Sequence, residues 1–501
     1  MEIHFNTLLI LSSFIFLLFL QLWKKTKSPE KSKNLPPSPP RLPIIGHLHH
    51  LVGGLPHEAF DRVTKKFGPI LHLQLGEVST IVISSRQAAK EVLKDQDPAC
   101  ADRPESIATK TMWYNNTDIG FSQYNEYWRQ MRKICVLELL SSKNVKSFGS
   151  IRVDETARLV RSLESLGPGE AVNLTDKIYK LSSIITCRAA FGEVLRDKDM
   201  LIDLTKKAST MAGGLELADL FPSFKLLHFL SWNKYKLMSM HNKLDAVLSV
   251  LVEEHRIKPR EGDQFGTENI VDVLLRMQKN KELKCPITDD NIKAVIFDMF
   301  SGGTDTSSST IDWAMVELMK NPRVMKKVQS EIREALKGKT TIEERDIQAL
   351  EYLKLVIKET LRLHSPFALV GRACREECKV DGYTIPIKTK ILINVRSMGR
   401  DAEYWPEPES FKPERFENNS MDFSGSNFEF IPFGAGRRIC PGMSFGLATI
   451  ELSLAQLLYH FDWKMPQGMS PDDIDLAEAG EMSVTRKNGL FLVPTLCIPS
   501  N

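Results

Sequence analysis

Apolar positions follow three patterns along the chain. From Phe5 to Trp23 the run FNTLLILSSFIFLLFLQLW carries no charge, and about 20 such residues cross a bilayer as a helix. From Pro69 to Ser84, PILHLQLGEVSTIVIS alternates apolar and polar residues around Gly76, the period-two pattern of a two-stranded hairpin. Beyond it, apolar residues recur at helical spacing. KLDAVLSVLVEEH, DNIKAVIFDMFSGGTDTSSSTIDWAMVELMKN and YLKLVIKETLRLH are the clearest stretches. The second predicts one long helix from about Asp289 to Asn321, with Thr288 as its N-cap and Pro322 just past its end. Strand patterns return in KVDGYTIPIKTKILINV and GLFLVP, while EGDQFGTEN reads as a polar surface loop. The expected body is mainly α with small β-sheets, without internal repeats.

The flanks of the first run set its orientation. No Lys or Arg precedes it, whereas Lys24, Lys25, Lys27, Lys31, Lys33 and Arg41 come after it, so the positive-inside rule keeps the downstream chain in the cytosol. A cleaved signal peptide needs a basic leading region and a small-residue cleavage site, and neither is present. Residues 1–23 are therefore expected to be a membrane anchor. Pro36, Pro37, Pro39, Pro40 and Pro43 stiffen the next segment, so residues 24–46 read as a basic, proline-rich hinge. Residues 47–501 show no composition shift and read as one large domain.

Charge and cysteine content narrow the class. A net charge of +3 without a long basic stripe speaks against a nucleic-acid binder. The 8 cysteines lack the dense spacing of a disulfide framework. Cys374 and Cys378 sit close together, but no His or Cys pair stands after them at zinc-ligand spacing. Seven cysteines read as reduced structural thiols, consistent with a cytosol-facing body, and the eighth as a ligand.

That eighth residue, Cys440, lies in PFGAGRRICPG. Gly434 and Gly436 allow a tight turn with φ > 0, and the backbone N–H groups of such a turn can point at a sulfur. Phe433 can screen the thiolate from water, and Arg438 is a cation suited to a carboxylate. This pattern suits a thiolate ligand of haem iron, which favours O–O cleavage; a buried cysteine in an ordinary glycine turn is the alternative. Within the long predicted helix, Gly302-Gly303-Thr304-Asp305-Thr306 places two glycines that each cost about 1 kcal/mol relative to alanine. An opened helix would have free carbonyls and room for O2 and water, with Thr306 a hydroxyl donor and Asp305 a proton relay. A small-residue helix contact fits the same run. Glu359 and Arg362 share a helix face at i,i+3, beside Leu355, Val356, Leu361 and Leu363. Trp128 and Arg132, four apart, offer donors suited to a carboxylate.

The Cys440 loop matches F-x-x-G-x-R-x-C-x-G at every fixed position and resembles the haem-binding loop of the cytochrome P-450 superfamily. The Gly302–Thr306 run is similar to the family's [AG]-G-x-[DE]-T, Glu359 and Arg362 to its E-x-x-R, and Pro413-Glu414-Arg415-Phe416 to its P-E-R-F. The resemblance implies the cytochrome P-450 fold, with haem b between the long helix and the cysteine loop. It implies Cys440 as axial iron ligand, Thr306 and Asp305 as the catalytic pair, and Trp128, Arg132, Arg372, Arg438 and Phe433 as haem contacts. It also implies a bracing Glu359–Arg362–Arg415 cluster and O2- and NADPH-dependent monooxygenation. No strand–GxGxxG–helix is present, so NADPH is expected to act through a separate NADPH–cytochrome P-450 reductase, with Arg129, Lys133 and Arg437 as candidates for its docking face.

Passages such as HLQLGEVS, YWRQMRKICVLELLS and QLLYHFDWK resemble plant microsomal members that hydroxylate terpenes, the limonene hydroxylases among them. The resemblance implies an apolar mono-, sesqui- or diterpene substrate and a single-pass protein of the endoplasmic reticulum membrane. Its pocket would involve Trp113, Tyr114, Leu215, Ile296, Phe297, Ala368, Leu369, Val370, Met482 and Val484. Two departures stand out. His364-Ser365-Pro366, with Phe367 next, replaces H-P-P, so regiochemistry does not carry over; Asn394-Val395-Arg396 replaces N-V-W, and Arg396 has no explanation. Other readings are a phenolic, flavonoid or alkaloid substrate, a non-catalytic haem sensor or carrier, and a fatty-acid hydroperoxide isomerase or dehydratase. Asp305 and Thr306 argue against the sensor; Thr306 and an undisturbed cysteine loop argue against the isomerase.

Overall fold

The computed structural model describes residues 34–192, 198–213, 216–257, 268–280, 282–339, 341–480 and 482–498. The expected anchor, the hinge up to Lys33, Leu215 and most of the EGDQFGTEN loop lie outside them. Among the described residues no helix is long and apolar enough to cross a membrane. The chain forms two compact units. One comprises Met1–Pro104, Leu215–Ser231 and Leu369–Ser397, the other Glu105–Gly214, Trp232–Ala368 and Met398–Asn501.

The first unit packs α1 (Pro56–Phe67) on a four-stranded sheet. The expected hairpin is β1 (Ile70–Leu75) and β2 (Val78–Ile83), paired antiparallel from Ile70↔Ile83 to Leu75↔Val78. The later strand pattern resolves into β3 (Leu369–Ala373), β4 (Cys378–Val380), β5 (Tyr383–Ile385) and β6 (Lys390–Asn394). β6 lies between β2, to which it is parallel, and β3, to which it is antiparallel; β4 and β5 form a separate hairpin. Phe60 and Val63 of α1 pack into the cluster of Leu71, Leu73, Val82 and Leu392. The described part of the proline-rich segment is hydrogen-bonded to this unit. Proline has no N–H but its carbonyl accepts: Pro37 O takes the His72 N–H at 2.9 Å and Asn34 O the Thr384 N–H at 2.7 Å.

The second unit is helical. Its elements that matter for the site are α2 (Glu126–Ile134), α3 (Leu174–Phe191), α4 (Trp232–Ile257), α5 (Asp289–Lys320), α6 (Glu351–Leu363) and α7 (Met443–His460). α5 is the long helix expected from the sequence. Thr288 caps it by accepting the Asn291 N–H at 3.2 Å, and Pro322 opens the next helix. Most of its side chains are buried, and its C-terminal half shares a core with α3 and α7 through residues such as Ile311, Val316, Ile185 and Leu454. One expectation is corrected: α5 stays α-helical through Gly302-Gly303 and is not opened there. Packing on several sides outweighs the roughly 1 kcal/mol that each glycine costs. Small strands at Val172–Asn173, Phe461–Lys464 and Phe491–Leu496 form a three-stranded sheet. Two π-helical turns, Glu91–Asp95 and Cys135–Leu139, have no counterpart in the apolar pattern.

Four histidines make the native state acid-sensitive. Burial holds His47, His241, His364 and His460 below the ordinary histidine value of 6.5. His364 stacks on Trp313 with ring centroids 3.9 Å apart, its Nε2 lying 2.7 Å from Glu317 Oε1. The folded chain favours neutral rings, so below pH 6.5 the unfolded chain binds more protons and stability falls as pH drops. The melting temperature is expected to be lower at about pH 5.5 than at about pH 7.5, before ordinary carboxylates titrate. Calorimetry at the two pH values checks this, and His364→Phe should flatten the difference.

Candidate active site

The Cys440 loop is closed by its own backbone: the Cys440 N–H donates to Phe433 O at 2.9 Å. Gly434 and Gly436 take φ of 71° and 68°, the left-handed region in which other residues are strained. The loop delivers Cys440 to the start of α7, whose N-cap is Gly442. The Gly442 N–H donates to the sulfur, and Arg132 adds positive charge nearby; burial works against both and pushes the thiol above its ordinary value. The sulfur therefore has a helix N-terminus and a cation ready for negative charge.

Arg132 of α2 reaches the same loop by donating to Ile439 O. Arg438 donates through Nη1 to Ile119 O at 3.3 Å and through Nη2 to Ser122 O at 2.6 Å. Its guanidinium lies 4.1 Å from the Trp128 ring centroid, and the Trp128 indole N–H donates to Ile119 O at 3.0 Å. Trp128 and Arg438 thus meet at Ile119, and Arg132 holds the loop one residue before the thiol. The turn that supports them rests on two residues that no motif marks. Asp298 Oδ2 accepts the Ile119 and Gly120 N–H groups at 3.2 and 3.1 Å, and Asp118 Oδ2 accepts the Phe121 N–H at 2.9 Å. Burial, reinforced by Asp298, holds Asp118 well above the usual carboxylate range. Arg372 lies in β3 of the other unit and is buried there.

On α5, Gly302 is exposed and Gly303 and Thr306 are half-buried, while Thr304 and Asp305 are buried; a Cβ built on Gly302 would meet nothing within 4 Å. Thr306 Oγ1 donates to Gly302 O at 2.6 Å. α7 touches this stretch one turn past Cys440, where a Cβ on Gly446 would stand 3.6 Å from Ser307 Oγ. Phe433, Ile439, Leu447 and Ala448 remain partly exposed. A helix face with room at Gly302, partly exposed apolar side chains and one soft donor atom at Cys440 fit a flat apolar macrocycle held by a thiolate.

Asp305, by contrast, is held in the protein interior. Its Oδ1 accepts the Tyr179 hydroxyl at 2.8 Å, and both residues are buried. The Lys206 ammonium lies 4.0 Å from the Tyr179 ring centroid. The sequence offered no signal for Tyr179, since only the packing of α3 on α5 makes the pair.

The expected bracing residues meet in one network. Arg362 Nε and Nη2 each donate to a Glu359 carboxylate oxygen at 2.8 Å, and Arg415 Nε donates to Glu359 Oε1 at 2.9 Å. Of the residues expected at a substrate pocket, Trp113, Ile296 and Phe297 are enclosed in an apolar cluster against which Met482 packs. Tyr114, at φ 47°, turns its hydroxyl to Asp245 Oδ1 at 3.0 Å. Ala368 is buried; the Val484 carbonyl accepts Ser309 Oγ at 2.7 Å. Leu369 and Val370 lie on β3, in the other unit. Ser365 Oγ donates to Phe367 O at 3.3 Å. Arg396 sits on a short helical turn after β6; nothing in the structure explains its replacement of the usual tryptophan.

A family model described as Cytochrome P450 matches residues 36–493. The chain is a cytochrome P450. It is 56% identical to cytochrome P450 71D13 of Mentha piperita over 502 residues, covering 100% of each chain. It is 55% identical to cytochrome P450 71D95 of Mentha spicata over 99% of each chain, and 55% identical to cytochrome P450 71D181 of Origanum vulgare over 99% of this chain and 98% of the relative. The mostly helical body with small sheets is the cytochrome P450 fold. The cytochrome P450 family uses haem b, with NADPH supplied through a reductase, and this chain is accordingly a monooxygenase.

Proposed function

We propose that this cytochrome P450 is anchored in the endoplasmic reticulum membrane by residues 1–23 and hydroxylates a small apolar terpenoid from the cytosolic side. The observation that carries the reading is the pairing of the Cys440 loop with the accessible Gly302–Thr306 face, in a chain similar end to end to 71D proteins of mint and oregano. Cys440 would hold the haem iron, with Trp128, Arg132 and Arg438 toward its carboxylates and Phe433 beside the sulfur. Bound there, haem supplies the reductive activation of O2.

The chain's own residues supply the rest. Thr306 Oγ1 holds a proton on the Gly302 face of α5 and passes it on, leaving its 2.6 Å bond to Gly302 O when an acceptor arrives. Asp305 and the Tyr179 hydroxyl form the buried end of the proton path. Apolar residues around Trp113, Phe297, Phe300 and Met482 favour a substrate without charge. Arg129, Lys133 and Arg437 border a surface groove of about 370 Å³ with Tyr124, Val136 and Leu137. A basic rim around an apolar floor suits an acidic reductase surface.

Microsomes carrying the full chain and a plant reductase, given a panel of mono-, sesqui- and diterpenes, test the reading. The expected result is a product one oxygen atom heavier, formed only with NADPH and reductase. Turnover of phenolics, flavonoids or alkaloids with every terpene untouched would overturn the substrate class.

A further inference from the structure

Cys374 and Cys378, which the sequence left without a partner, acquire one in the fold. Backbone bonds on either side of Cys374 fix the opposing segment: the Ala373 N–H donates to Asp102 O at 2.8 Å and the Arg375 N–H to Ala99 O at 2.9 Å. This places Cys100 against the pair. The three sulfurs form a triangle, with Cys100–Cys378 at 3.5 Å, Cys374–Cys378 at 3.8 Å and Cys100–Cys374 at 3.9 Å. All three residues are buried, at 0%, 2% and 6% exposure for Cys100, Cys374 and Cys378.

The dimensions match one shared ion. A disulfide would bring two sulfurs to about 2.05 Å. Sulfurs bound to one metal at about 2.3 Å stand about 3.8 Å apart in tetrahedral geometry and about 4.0 Å apart in trigonal geometry. The donor set is sulfur alone, with no imidazole or carboxylate in the cluster, which selects a soft d10 ion.

We propose that Cys100, Cys374 and Cys378 form a structural site for one soft d10 cation, Zn²⁺ or Cu⁺, separate from the haem thiolate. Three S–H groups lose their protons to solvent and three metal–sulfur bonds form; no electron is transferred. The ion ties the segment before Pro104 to the β3–β4 connection.

The full-length haem protein, purified under reducing conditions and equilibrated with buffered Zn²⁺ in one arm and Cu⁺ in the other, is assayed by elemental mass spectrometry. About one equivalent of one of these ions beyond haem iron is expected, falling at least about tenfold in each of Cys100→Ser, Cys374→Ser and Cys378→Ser. Each variant's carbon-monoxide difference spectrum reports whether it folds. Should the variants fail to fold, wild-type melting temperature against free metal replaces them, a rise with concentration being expected. Less than about a tenth of an equivalent of both ions, a content indifferent to the substitutions in folded variants, or a melting temperature indifferent to metal would each overturn the site. So would a disulfide among the three in the protein as purified. These readouts do not depend on turnover.

Discussion

Replacing Cys440 with serine is expected to remove monooxygenase turnover entirely and, with it, the strongly red-shifted Soret band of the reduced carbon-monoxide complex. The effect is local. A serine hydroxyl is nearly isosteric with the thiol, so the Cys440 N–H bond to Phe433 O at 2.9 Å and the turn at Gly434 and Gly436 survive. Folding should change little. What disappears is a soft anion: an alcohol does not ionise near neutral pH and is a poor ligand for haem iron. The Gly442 N–H, the start of α7 and Arg132 are all arranged to favour negative charge at this atom, and serine cannot carry it.

Cys187→Ser, changing a buried cysteine of α3, is the control. It should retain the spectrum and turnover. If Cys440→Ser kept the sulfur-type spectrum, or turned over at even about a hundredth of the wild-type rate, the ligand assignment would fail.

What the sequence made legible is what lies contiguous in it. The Cys440 loop needs particular residues within one short turn. The periodicity of α5 and the alternation of β1 and β2 are local as well, so the main elements were readable. The hidden features are those made by distant segments. Tyr179 meets Asp305 across 126 positions and Cys100 meets Cys378 across 278; no spacing rule connects them. The opening expected at Gly302-Gly303 failed for a related reason. Helix propensity weighs about 1 kcal/mol per glycine, while the burial that keeps α5 helical comes from helices elsewhere in the chain. In the proline-rich stretch, read as a hinge, carbonyl acceptors such as Pro37 O likewise leave no mark on composition.

Glu359→Ala is expected to be the most destabilising single change in the second unit. Glu359 is 0% exposed and Arg362 1%, so both charges are shielded from water. The carboxylate accepts two bonds from Arg362, one from Arg415 and one from the Lys412 N–H at 2.8 Å. Arg362 in turn donates to the carbonyls of Gly399, Pro408 and Ser410 at 2.5, 2.7 and 3.1 Å, tying that connection to α6. Removing the carboxylate strands a buried guanidinium, and breaking such a pair costs about 3–5 kcal/mol. Against a typical total of about 5–15 kcal/mol, that loss is decisive. Glu359→Gln, which keeps the shape but not the charge, should recover part of the loss. Exposed pairs such as Lys207–Asp203 should shift stability by under about 1 kcal/mol when broken. Urea unfolding of the three variants, with retained haem as a parallel readout, decides the matter. Equal midpoints for Glu359→Ala and Lys207→Ala would show that the buried cluster contributes nothing.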